Sequence, residues 1–412
     1  MLSPYRVLDL TNERGSLCGR ILSDLGAEVI KIEKPGGDSC RNIGPFYQNI
    51  PDPEKSLYWF FCNLGKKSLT LNIETGDGQE ILKKLVKISD FLIESFDPTY
   101  LDSLGLGYSV LSKINQRIIV TSITPFGQAG PYRDYKASDI TLMAMGGLMY
   151  ITGEPDRPPV RISVPQAYFI ASAQATAATL TAHYYQGLTG EGQYVDVSIQ
   201  ECVLSTLANA IPAWELAQIS LQRVGSFLSG RGAAGTKQRL IYPCKDGSVL
   251  YIVLGGRIGA PSNRAVVQWM DEEGMADDFI KSWEWEKYDF AIATPEMQER
   301  LEKYFARFFL IHTKEEIYNE GLKRGFMVAP VSSPRDIIEN PQLQARDFWL
   351  QVEHPELNCK LTYPGTFYKS SEVTFKVPRR APLIGEHNVE IYEKELCISK
   401  EEMATLKQAG VI

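Results

Sequence analysis

Short apolar runs and amphipathic stretches alternate along the first half of the chain. Residues 6–10 and 28–32 are apolar runs of strand length, and residues 15–25 between them carry apolar side chains at helical spacing. A strand, a helix and a second strand in this order predict a β-α-β unit, in which the two strands are parallel. The turn after the first strand has no GxGxxG pattern, so it lacks the fingerprint of a dinucleotide-binding site.

The alternation continues to about residue 200 and includes one long helix of small side chains. Residues 165–186 are rich in Ala, Ser and Thr, with Pro165 in the predicted first turn and Gly187 just past the predicted end. Such a helix suits a place where a backbone, a second chain or a ligand approaches closely. Further strands are predicted at 68–73, 91–94, 117–123 and 193–198, and a further helix at 76–88. This pattern predicts an α/β fold built on an open parallel sheet.

The pattern changes after residue 200. A long helix is predicted from Glu201 through Ala213, and the glycine-rich segment 225–235 that follows is either a linker or a mobile loop over a site. Helices rich in Trp and charged residues at 264–323 indicate a second, smaller α+β domain, and a capped helix is predicted from Ser399. Strands in this half are predicted at 240–243, 249–254, 325–331, 360–364 and 371–377.

Composition and charge narrow the classes of function. The 412 residues are 44% hydrophobic and 23% charged, which is typical of a globular protein, and the formal net charge of −7 argues against a nucleic-acid-binding protein. No apolar run reaches the roughly 20 residues of a membrane span, and the first residues lack the features of a signal peptide. We therefore expect a cytoplasmic protein without membrane contact. Seven scattered cysteines and four isolated histidines form no metal-ligand pattern, so no metal site is expected.

The residues alone indicate few candidate groups for chemistry. The first turn of the helix at 165–186 should favour an anion or oxyanion, because free backbone N–H groups and the positive end of the helix dipole meet there. The side chain that would face such an anion is Tyr168. In and after the second strand, the basic residues are either a solvated rim or phosphate contacts; they are Lys31, Lys34 and Arg41. The chain has neither a GxSxG nucleophile motif nor a P-loop.

Several motifs, in order along almost the whole chain, resemble one known family. They are RVLDLT with LSDLGAEVIKIEKPGGD, NLGKKSLTLNIET, SDFLIESFDP, SITPFGQAGPYRDY, GGLMYITGEPDRPP, TGEGQYVDVSIQE and RAPLIGEHN. Together they are similar to class III CoA-transferases, the group of formyl-CoA transferase, carnitine CoA-transferase and α-methylacyl-CoA racemase. The resemblance implies a transferase that uses coenzyme A or acyl-CoA as substrate and needs no metal.

The resemblance also implies an architecture and a binding site. Family members have a large Rossmann-like domain built from both ends of the chain and a smaller domain, and two subunits interlock as rings. This implies a large domain at 1–215, a small domain at 225–330 and a segment at 331–412 that returns to the large domain. The segment 225–235 matches the family's flexible loop over the active site. The positions that bind CoA in the family, where phosphates attract basic side chains and adenine packs on an apolar ring, are here Arg14, Gly15, Lys66, Lys67, Ser95, Phe96 and Lys136.

The chain departs from the family pattern at two places. The family's usual Ala-Gly-Pro in the first turn is Arg14-Gly15-Ser16 here. Family transferases also place an aspartate one turn into the small-residue helix, where it attacks the acyl-CoA thioester, and this chain has Tyr168 at that position. A phenol is mostly protonated at neutral pH and forms no anhydride, so we predict a packed aromatic side chain and not a nucleophile. The racemase reaction needs a histidine where this chain has Ser138, so we do not expect it.

The resemblance therefore implies a non-catalytic subunit, paired with a homologous subunit that retains the aspartate. Heteromeric members of this kind act on aryl-substituted succinates with succinyl-CoA as donor, which makes (R)-benzylsuccinate the expected acceptor. Two alternatives stay open. The chain could be a self-sufficient homodimer whose nucleophile is Glu154 or Asp156, although both are expected to be solvated turn residues, or a regulator that binds CoA or acyl-CoA without turnover. His387 is expected to belong to a structural loop.

Overall fold

A computed structural model of the protein describes residues 1–228, 237–373, 375 and 378–412. The strands, in chain order, are β1 (Arg6–Leu10), β2 (Glu28–Glu33), β3 (Lys67–Thr70), β4 (Phe91–Glu94), β5 (Ile119–Thr124), β6 (Tyr194–Ser198), β7 (Phe227–Leu228), β8 (Gln238–Arg239), β9 (Ile241–Cys244), β10 (Gly247–Tyr251), β11 (Val328–Pro330), β12 (Trp349–His354) and β13 (Cys359–Pro364). The α-helices are α1 (Ser16–Asp24), α2 (Leu57–Cys62), α3 (Gly76–Lys87), α4 (Tyr100–Ser103), α5 (Tyr108–Ile114), α6 (Asp139–Met145), α7 (Gln166–Thr189), α8 (Ile199–Leu204), α9 (Ala210–Ala217), α10 (Gly256–Glu272), α11 (Asp278–Lys281), α12 (Pro295–Phe309), α13 (Lys314–Arg324), α14 (Pro334–Ile338), α15 (Pro341–Ala345) and α16 (Lys400–Gln408).

A six-stranded sheet with the order β3-β2-β1-β4-β5-β6 organises the first part of the chain. Val7 of β1 lies opposite Val29 of β2 on one side and opposite Phe91 of β4 on the other. Each neighbouring pair in this sheet runs parallel, and the strand order is that of Rossmann-type doubly wound sheets. The predicted α/β fold with a Rossmann-like parallel sheet is confirmed.

Both faces of the sheet are covered by helices. Alternate side chains of a strand point to opposite faces, so β1 and β4 each contribute to two buried clusters. Val7, Phe91 and Ile93 join one buried cluster with residues of α1, α7 and α8. Leu8 and Leu92 join a second cluster with residues of α3, α5 and the C-terminal helix α16. Strands that are buried on both faces are nearly continuous in apolar side chains. Apolar runs of this kind predicted β1 and β4, whereas β3 and β6 were predicted from alternating side chains.

The outer edge of the sheet, β3, is covered by a C-terminal segment. The backbone N–H of Ser68 donates to Nδ1 of His387 at 3.2 Å, and the backbone N–H of His387 donates to the carbonyl of Ser68 at 3.0 Å. The backbone N–H of Thr70 donates to Oδ1 of Asn388 at 3.0 Å, and the Asn388 amide donates to Oγ1 of Thr70 at 2.7 Å. These bonds satisfy backbone groups that an open edge would leave unpaired.

Arg41 ties the same C-terminal segment to the loop after β2. Its guanidinium donates to both oxygens of Glu33 at 2.8 Å and to the carbonyl of Pro382 at 3.1 Å. Its Cζ lies 3.6 Å from the centre of the Trp59 ring, which adds a cation–π contact. The Arg41 side chain is fully buried, so its charge is used inside the protein.

Both interpretations of the basic residues in and after β2, a solvated rim or phosphate contacts, therefore fail for Lys31 and Arg41. Both side chains are fully buried in ion pairs and form neither a solvated rim nor an open phosphate contact. Nζ of Lys31 lies 3.0 Å from the Asp38 carboxylate. Lys34 differs, because its exposed ammonium pairs with Glu74 at 2.8 Å. A buried basic residue needs a carboxylate partner, and the sequence pattern did not reveal these partners.

Contacts divide the described chain into two compact units. The first unit comprises Met1–Met149, Arg161–Gln218 and Pro341–Ile412, and the second comprises Tyr150–Val160 and Ile219–Asn340. The second unit has an antiparallel sheet in the order β11-β10-β9 and an aromatic core with residues of α10, α12 and α13. The domain boundaries at 1–215, 225–330 and 331–412 stay a prediction. In the described ranges, helices that are both long and apolar enough to cross a bilayer are absent.

Two local predictions were wrong. The helix predicted from Glu201 through Ala213 is broken, since α8 ends at Leu204 and Ala208 has a φ of 40° before α9 begins. The described part of 371–377 forms no strand, and β13 pairs instead with β12. Residues 374, 376 and 377, and residues 229–235 of the predicted glycine-rich segment, lie outside the described residues.

Candidate functional site

The turn after β1 is shaped by local hydrogen bonds and one glycine. The backbone N–H and the hydroxyl of Thr11 donate to Oδ1 of Asp9 at 2.9 and 2.6 Å. A Cβ on Gly15 would lie 2.7 Å from Cγ2 of Thr11 and 2.9 Å from Cδ1 of Ile123. Glycine is therefore needed for this close approach, and the turn places Arg14 at the carboxyl end of the neighbouring β4.

Helix α7 packs against this turn through its small side chains. Ala167, Ala171 and Ala175 are fully buried, and Oγ of Ser172 donates to the carbonyl of Arg14 at 3.5 Å. Side chains three to four residues apart lie on one face of a helix, and here that face is small enough for close contact. The predicted small-residue helix is present, and its N-terminal part lies beside the turn after β1. Its predicted end is wrong, because α7 runs to Thr189 and includes Gly187, and Gly190 caps it.

The N-terminus of α7 is occupied by a carboxylate of the chain itself. Within the described chain Pro165, which precedes the helix, makes no side-chain capping bond. Oδ1 of Asp139, the first residue of α6, accepts the backbone N–H of Ala167 at 2.8 Å. Burial raises the pKa of the Asp139 carboxyl, and its hydrogen bonds to the backbone N–H groups of Ala167 and Tyr168 oppose this rise. The expected anion position at α7 is thus filled by Asp139.

Tyr168 is a packed aromatic side chain in the first turn of α7. It is 6% exposed and belongs to the cluster under α1 and α7. Burial raises the pKa of its hydroxyl, and the nearby Glu13 carboxylate adds to the rise. The hydroxyl is therefore neutral at physiological pH, which makes it a poor nucleophile.

Arg14, Lys136 and Asp97 form a charged cluster at the carboxyl end of the sheet. Nη1 of Arg14 lies 3.6 Å from Oδ1 of Asp97, and Nζ of Lys136 donates to Oδ2 of the same carboxylate. The Lys136 ammonium lowers the pKa of the Asp97 carboxyl. Ser95 lies beside the cluster, and its carbonyl accepts a hydrogen bond from Nη1 of Arg14 at 3.5 Å. The Ser95 hydroxyl donates to Oδ1 of Asn12 at 2.9 Å and accepts the Asn12 backbone N–H at 2.8 Å.

Phe96 lies next to this cluster in an aromatic pair. Its ring centre is 4.8 Å from that of Tyr100, and both rings pack partly buried against the core below. The Tyr100 hydroxyl donates to Oε1 of Glu74 at 2.8 Å, and the Lys34 ammonium donates to the same oxygen. An aromatic surface with basic groups on two sides fits a nucleotide, whose base stacks and whose phosphates carry negative charge.

The structure places Lys66 away from this cluster. Its side chain is fully buried beneath α1. Its ammonium donates to Oδ2 of Asp9 at 2.7 Å, to the carbonyl of Ser16 at 2.8 Å and to Oδ1 of Asn63 at 2.9 Å. An ammonium has three donors, so all of them are used by the protein.

Lys67 also lies outside the cluster. It begins β3, and its ammonium pairs with Glu28 at the start of β2 and with Glu390 at 2.8 Å. The amino ends of parallel strands meet at one edge of the sheet and the carboxyl ends at the other. Four of the predicted CoA-binding residues are thus grouped at the carboxyl ends of the strands, namely Arg14, Ser95, Phe96 and Lys136. Lys67 lies instead at the amino ends of the strands.

A buried acid and a small cavity adjoin the same edge of the sheet. Glu94 ends β4, and its Oε2 accepts the backbone N–H of Phe96 at 2.7 Å. Burial raises the pKa of the Glu94 carboxyl to about 7. The carboxyl lines a cavity of about 210 Å³ together with Tyr108, Gln128 and Tyr194. The charge of Glu94 therefore depends on pH near neutrality.

The two alternative nucleophiles belong to the second unit. Oε1 of Glu154 accepts the backbone N–H of Ser226 at 3.0 Å, so this partly buried carboxylate joins two segments that are 72 residues apart along the chain. Asp156 is exposed. The position of Asp156 agrees with a solvated turn residue, that of Glu154 does not, and whether either acts as a nucleophile stays a prediction.

Sequence patterns missed Asp97 and Asp139. Asp97 directly follows Phe96, so its neighbourhood could have been found from the motif. Asp139 reaches the amide of a residue 28 positions along the chain, and no local pattern records such a contact. Among the described residues, no group of three or more His, Cys, Asp or Glu side chains is arranged to hold a metal ion.

Comparisons with known proteins agree with this fold and identify the family. The sequence model of CoA-transferase family III matches residues 2–388. The chain is 36% identical to succinyl-CoA:(R)-benzylsuccinate CoA-transferase subunit BbsE from Thauera aromatica, over 94% of this chain and 93% of the relative. It is 31% identical to a succinyl-CoA–D-citramalate CoA-transferase from Chloroflexus aurantiacus, over 100% and 98%. The crystal structure of a CaiB/BaiF family protein from Brucella suis is similar with a TM-score of 0.80 and 27% identity, over 95% of this chain and 98% of that one. The chain therefore belongs to CoA-transferase family III.

Proposed function

We propose that the chain is a non-catalytic subunit of a CoA-transferase and works with a homologous subunit that carries the catalytic aspartate. The observation that carries this proposal is the first turn of α7. The resemblance to family III places the nucleophilic aspartate at position 168, where this chain has a 6% exposed tyrosine. The nearby carboxylate of Asp139 is engaged with the amides of the helix.

The chemistry of CoA transfer explains why the tyrosine matters. In the reaction that the resemblance implies, a carboxylate attacks the acyl-CoA thioester and forms a mixed anhydride, which CoA thiolate opens to an enzyme thioester. The acceptor acid then takes the CoA. A carboxylate suits both steps because its acyl derivatives form and break readily. The buried, neutral phenol of Tyr168 lacks this reactivity, so the partner subunit supplies the nucleophile.

Binding of CoA to this chain is proposed at the carboxyl edge of the sheet. Arg14 and Lys136 supply positive charge for the phosphates, Phe96 supplies a ring for adenine, and Gly15 and Ser95 shape the turns. Lys66 and Lys67 support this site only through the ion pairs that hold β3. A direct contact between Lys66 and a phosphate would require it to leave three partners.

The substrates are proposed from the relatives. BbsE is named for transfer between succinyl-CoA and (R)-benzylsuccinate, and the second relative is also named for succinyl-CoA. Succinyl-CoA is therefore the proposed donor, and (R)-benzylsuccinate is the proposed acceptor.

The proposed assembly is an interlocked dimer with the partner subunit in the cytoplasm. Large apolar side chains are exposed on the last turns of α7, at Tyr184 and Leu188, and on α9, at Trp214 and Leu216. Large apolar side chains exposed in this way are typical of an interface with another chain. BbsE is itself named as a subunit.

The test is to purify the chain from its native source, identify the protein that copurifies, and assay the complex with succinyl-CoA and (R)-benzylsuccinate. We expect transfer by the complex, none by this chain alone, and loss of activity when the partner's aspartate is replaced by alanine. Turnover by this chain alone, abolished by Glu154→Gln or Asp156→Asn, would support the self-sufficient alternative instead. CoA binding with no catalytic partner would support a regulator.

A further inference from the structure

Asp97 joins two basic side chains that come from different parts of the chain. Arg14 follows β1 and Lys136 precedes α6, and each faces an oxygen of the one carboxylate of Asp97. The Lys136 side chain is 75% exposed and that of Asp97 is 49% exposed. This ion cluster therefore lies at the surface, at the edge of the sheet where open α/β sheets bind ligands.

Arg14 is held much less tightly than a structural arginine of the same protein. Its Nη1 lies 3.6 Å from Asp97 and 3.5 Å from the carbonyl of Ser95. Its Nε is buried and has no hydrogen-bond partner in the described part of the chain. Arg41, in contrast, makes short hydrogen bonds from Nε and both terminal nitrogens. A guanidinium has five N–H donors, so Arg14 keeps unused capacity for an anion.

We propose that Asp97 is a built-in counter-anion that occupies the place of a phosphate group between Arg14 and Lys136, and that the ligand displaces it on binding. The inference deepens the proposed CoA binding and rests on it for the identity of the anion. A phosphate offers more negative charge than a carboxylate and three acceptor oxygens. A half-exposed carboxylate turns into solvent at small cost, because surface ion pairs contribute little.

This arrangement makes Asp97 a determinant of ligand specificity. A ligand must displace one negative charge before it gains the two positive charges. A monocarboxylate, such as acetate, only replaces Asp97 by a like group. A diphosphate carries more negative charge than Asp97, so it interacts more strongly with Arg14 and Lys136 than the displaced carboxylate does. The site is thus selective for phosphate-bearing polyanions over singly charged carboxylates.

The test is the isosteric variant Asp97→Asn of the full chain, in the assembly in which it purifies. We expect inorganic pyrophosphate and CoA each to bind about three- to tenfold more tightly by calorimetry, because a charge within a few ångströms of the ligand is removed. The gain should shrink as salt concentration rises. Acetate should remain a weak ligand of both proteins. Adding Arg14→Gln to the variant should abolish the gain.

Asp134→Asn is the matched control, because Asp134 is an exposed carboxylate of the loop that holds Lys136, and its described ion pair is with its neighbour Arg133. It should leave both affinities unchanged. Equal or weaker binding by Asp97→Asn, or an equal gain in the control, overturns the inference. A gain for pyrophosphate but not for CoA contradicts the identity of the anion. A gain for both ligands in a protein that supports no CoA transfer with any partner leaves the inference standing and overturns the proposed function.

Discussion

At the N-terminus of α7, two neighbouring groups have different tasks. Asp139 accepts the free N–H groups of the helix, and Tyr168 fills the space beneath the first turn. The resemblance to a known family identified position 168 from sequence, because that position lies inside a motif. The partner of Asp139 could not be predicted, since α6 and α7 meet only after folding. The same limit applies to Lys66, whose carboxylate partner Asp9 is 57 residues away along the chain.

We predict that Tyr168→Phe keeps the turnover of the complex within about threefold, because the phenol oxygen takes part in neither acyl transfer nor a capping bond. The free energy of unfolding should change by no more than about 1 kcal/mol, the contribution of one hydrogen bond. Tyr168→Ala is the control for packing and should cost about 3 kcal/mol through the cavity it creates. A CoA or acyl adduct on this chain, trapped and seen by mass spectrometry, would contradict the assignment.

Glu94 predicts a pH dependence of stability. Its folded pKa of about 7 lies above the ordinary value of 4.5 because of burial. The folded protein thus holds this proton more tightly than the unfolded chain does. The contribution is complete below about pH 4.5 and is lost as pH rises to about 7, a change of about 3 kcal/mol. Glu94→Gln cannot ionise, so the difference in unfolding free energy between it and wild type should grow across this window in urea titrations. A difference in unfolding free energy that stays constant with pH would contradict the raised pKa of Glu94.

At the scale of elements, apolar runs and alternating side chains predicted the strands of the parallel sheet, whereas the break between α8 and α9 was not predicted. Pro212 explains that break. In a continuous helix it would leave the carbonyl of Ala208 without its N–H partner and collide with it. The chain instead leaves the helical path at Ala208 and restarts at Ala210, which puts Pro212 in a first turn, where proline is tolerated. The spacing of apolar residues continues past this point, and it therefore predicted one unbroken helix.

The turn after β1, which contains Gly15, leads to a prediction at the scale of elements. Gly15→Ala should destabilise the protein by about 1–3 kcal/mol, because the new Cβ would collide with Thr11 and Ile123 side chains and push the turn away from α7. Gly76→Ala is the matched control, since the first residue of α3 has open space around it. It should be neutral or stabilising by up to about 1 kcal/mol. Thermal denaturation of both variants distinguishes these outcomes, and equal stability of the two would contradict the close-approach argument.

At the scale of the whole molecule, the exposed apolar side chains of α7 and α9 predict self-association when the partner subunit is absent. Sedimentation velocity of the chain expressed alone should show dimers or larger species at micromolar concentration. Leu188→Ser with Leu216→Ser should reduce this association, because it removes apolar area from both helices. Leu322→Ser, an exposed leucine on α13 of the second unit, should not. A well-behaved monomer would argue against any interlocked assembly.

The hydrogen bonds between β3 and the segment around His387 and Asn388 have a consequence for synthesis. The strand leaves the ribosome more than 300 residues before the segment that covers it. During that interval the growing chain exposes an unpaired sheet edge, which is the kind of surface that pairs with other chains. Contacts this far apart in sequence also form slowly. We therefore expect premature termination near residue 380 to produce aggregates, and we expect chaperone binding to be concentrated on nascent chains that have not yet reached the C-terminus.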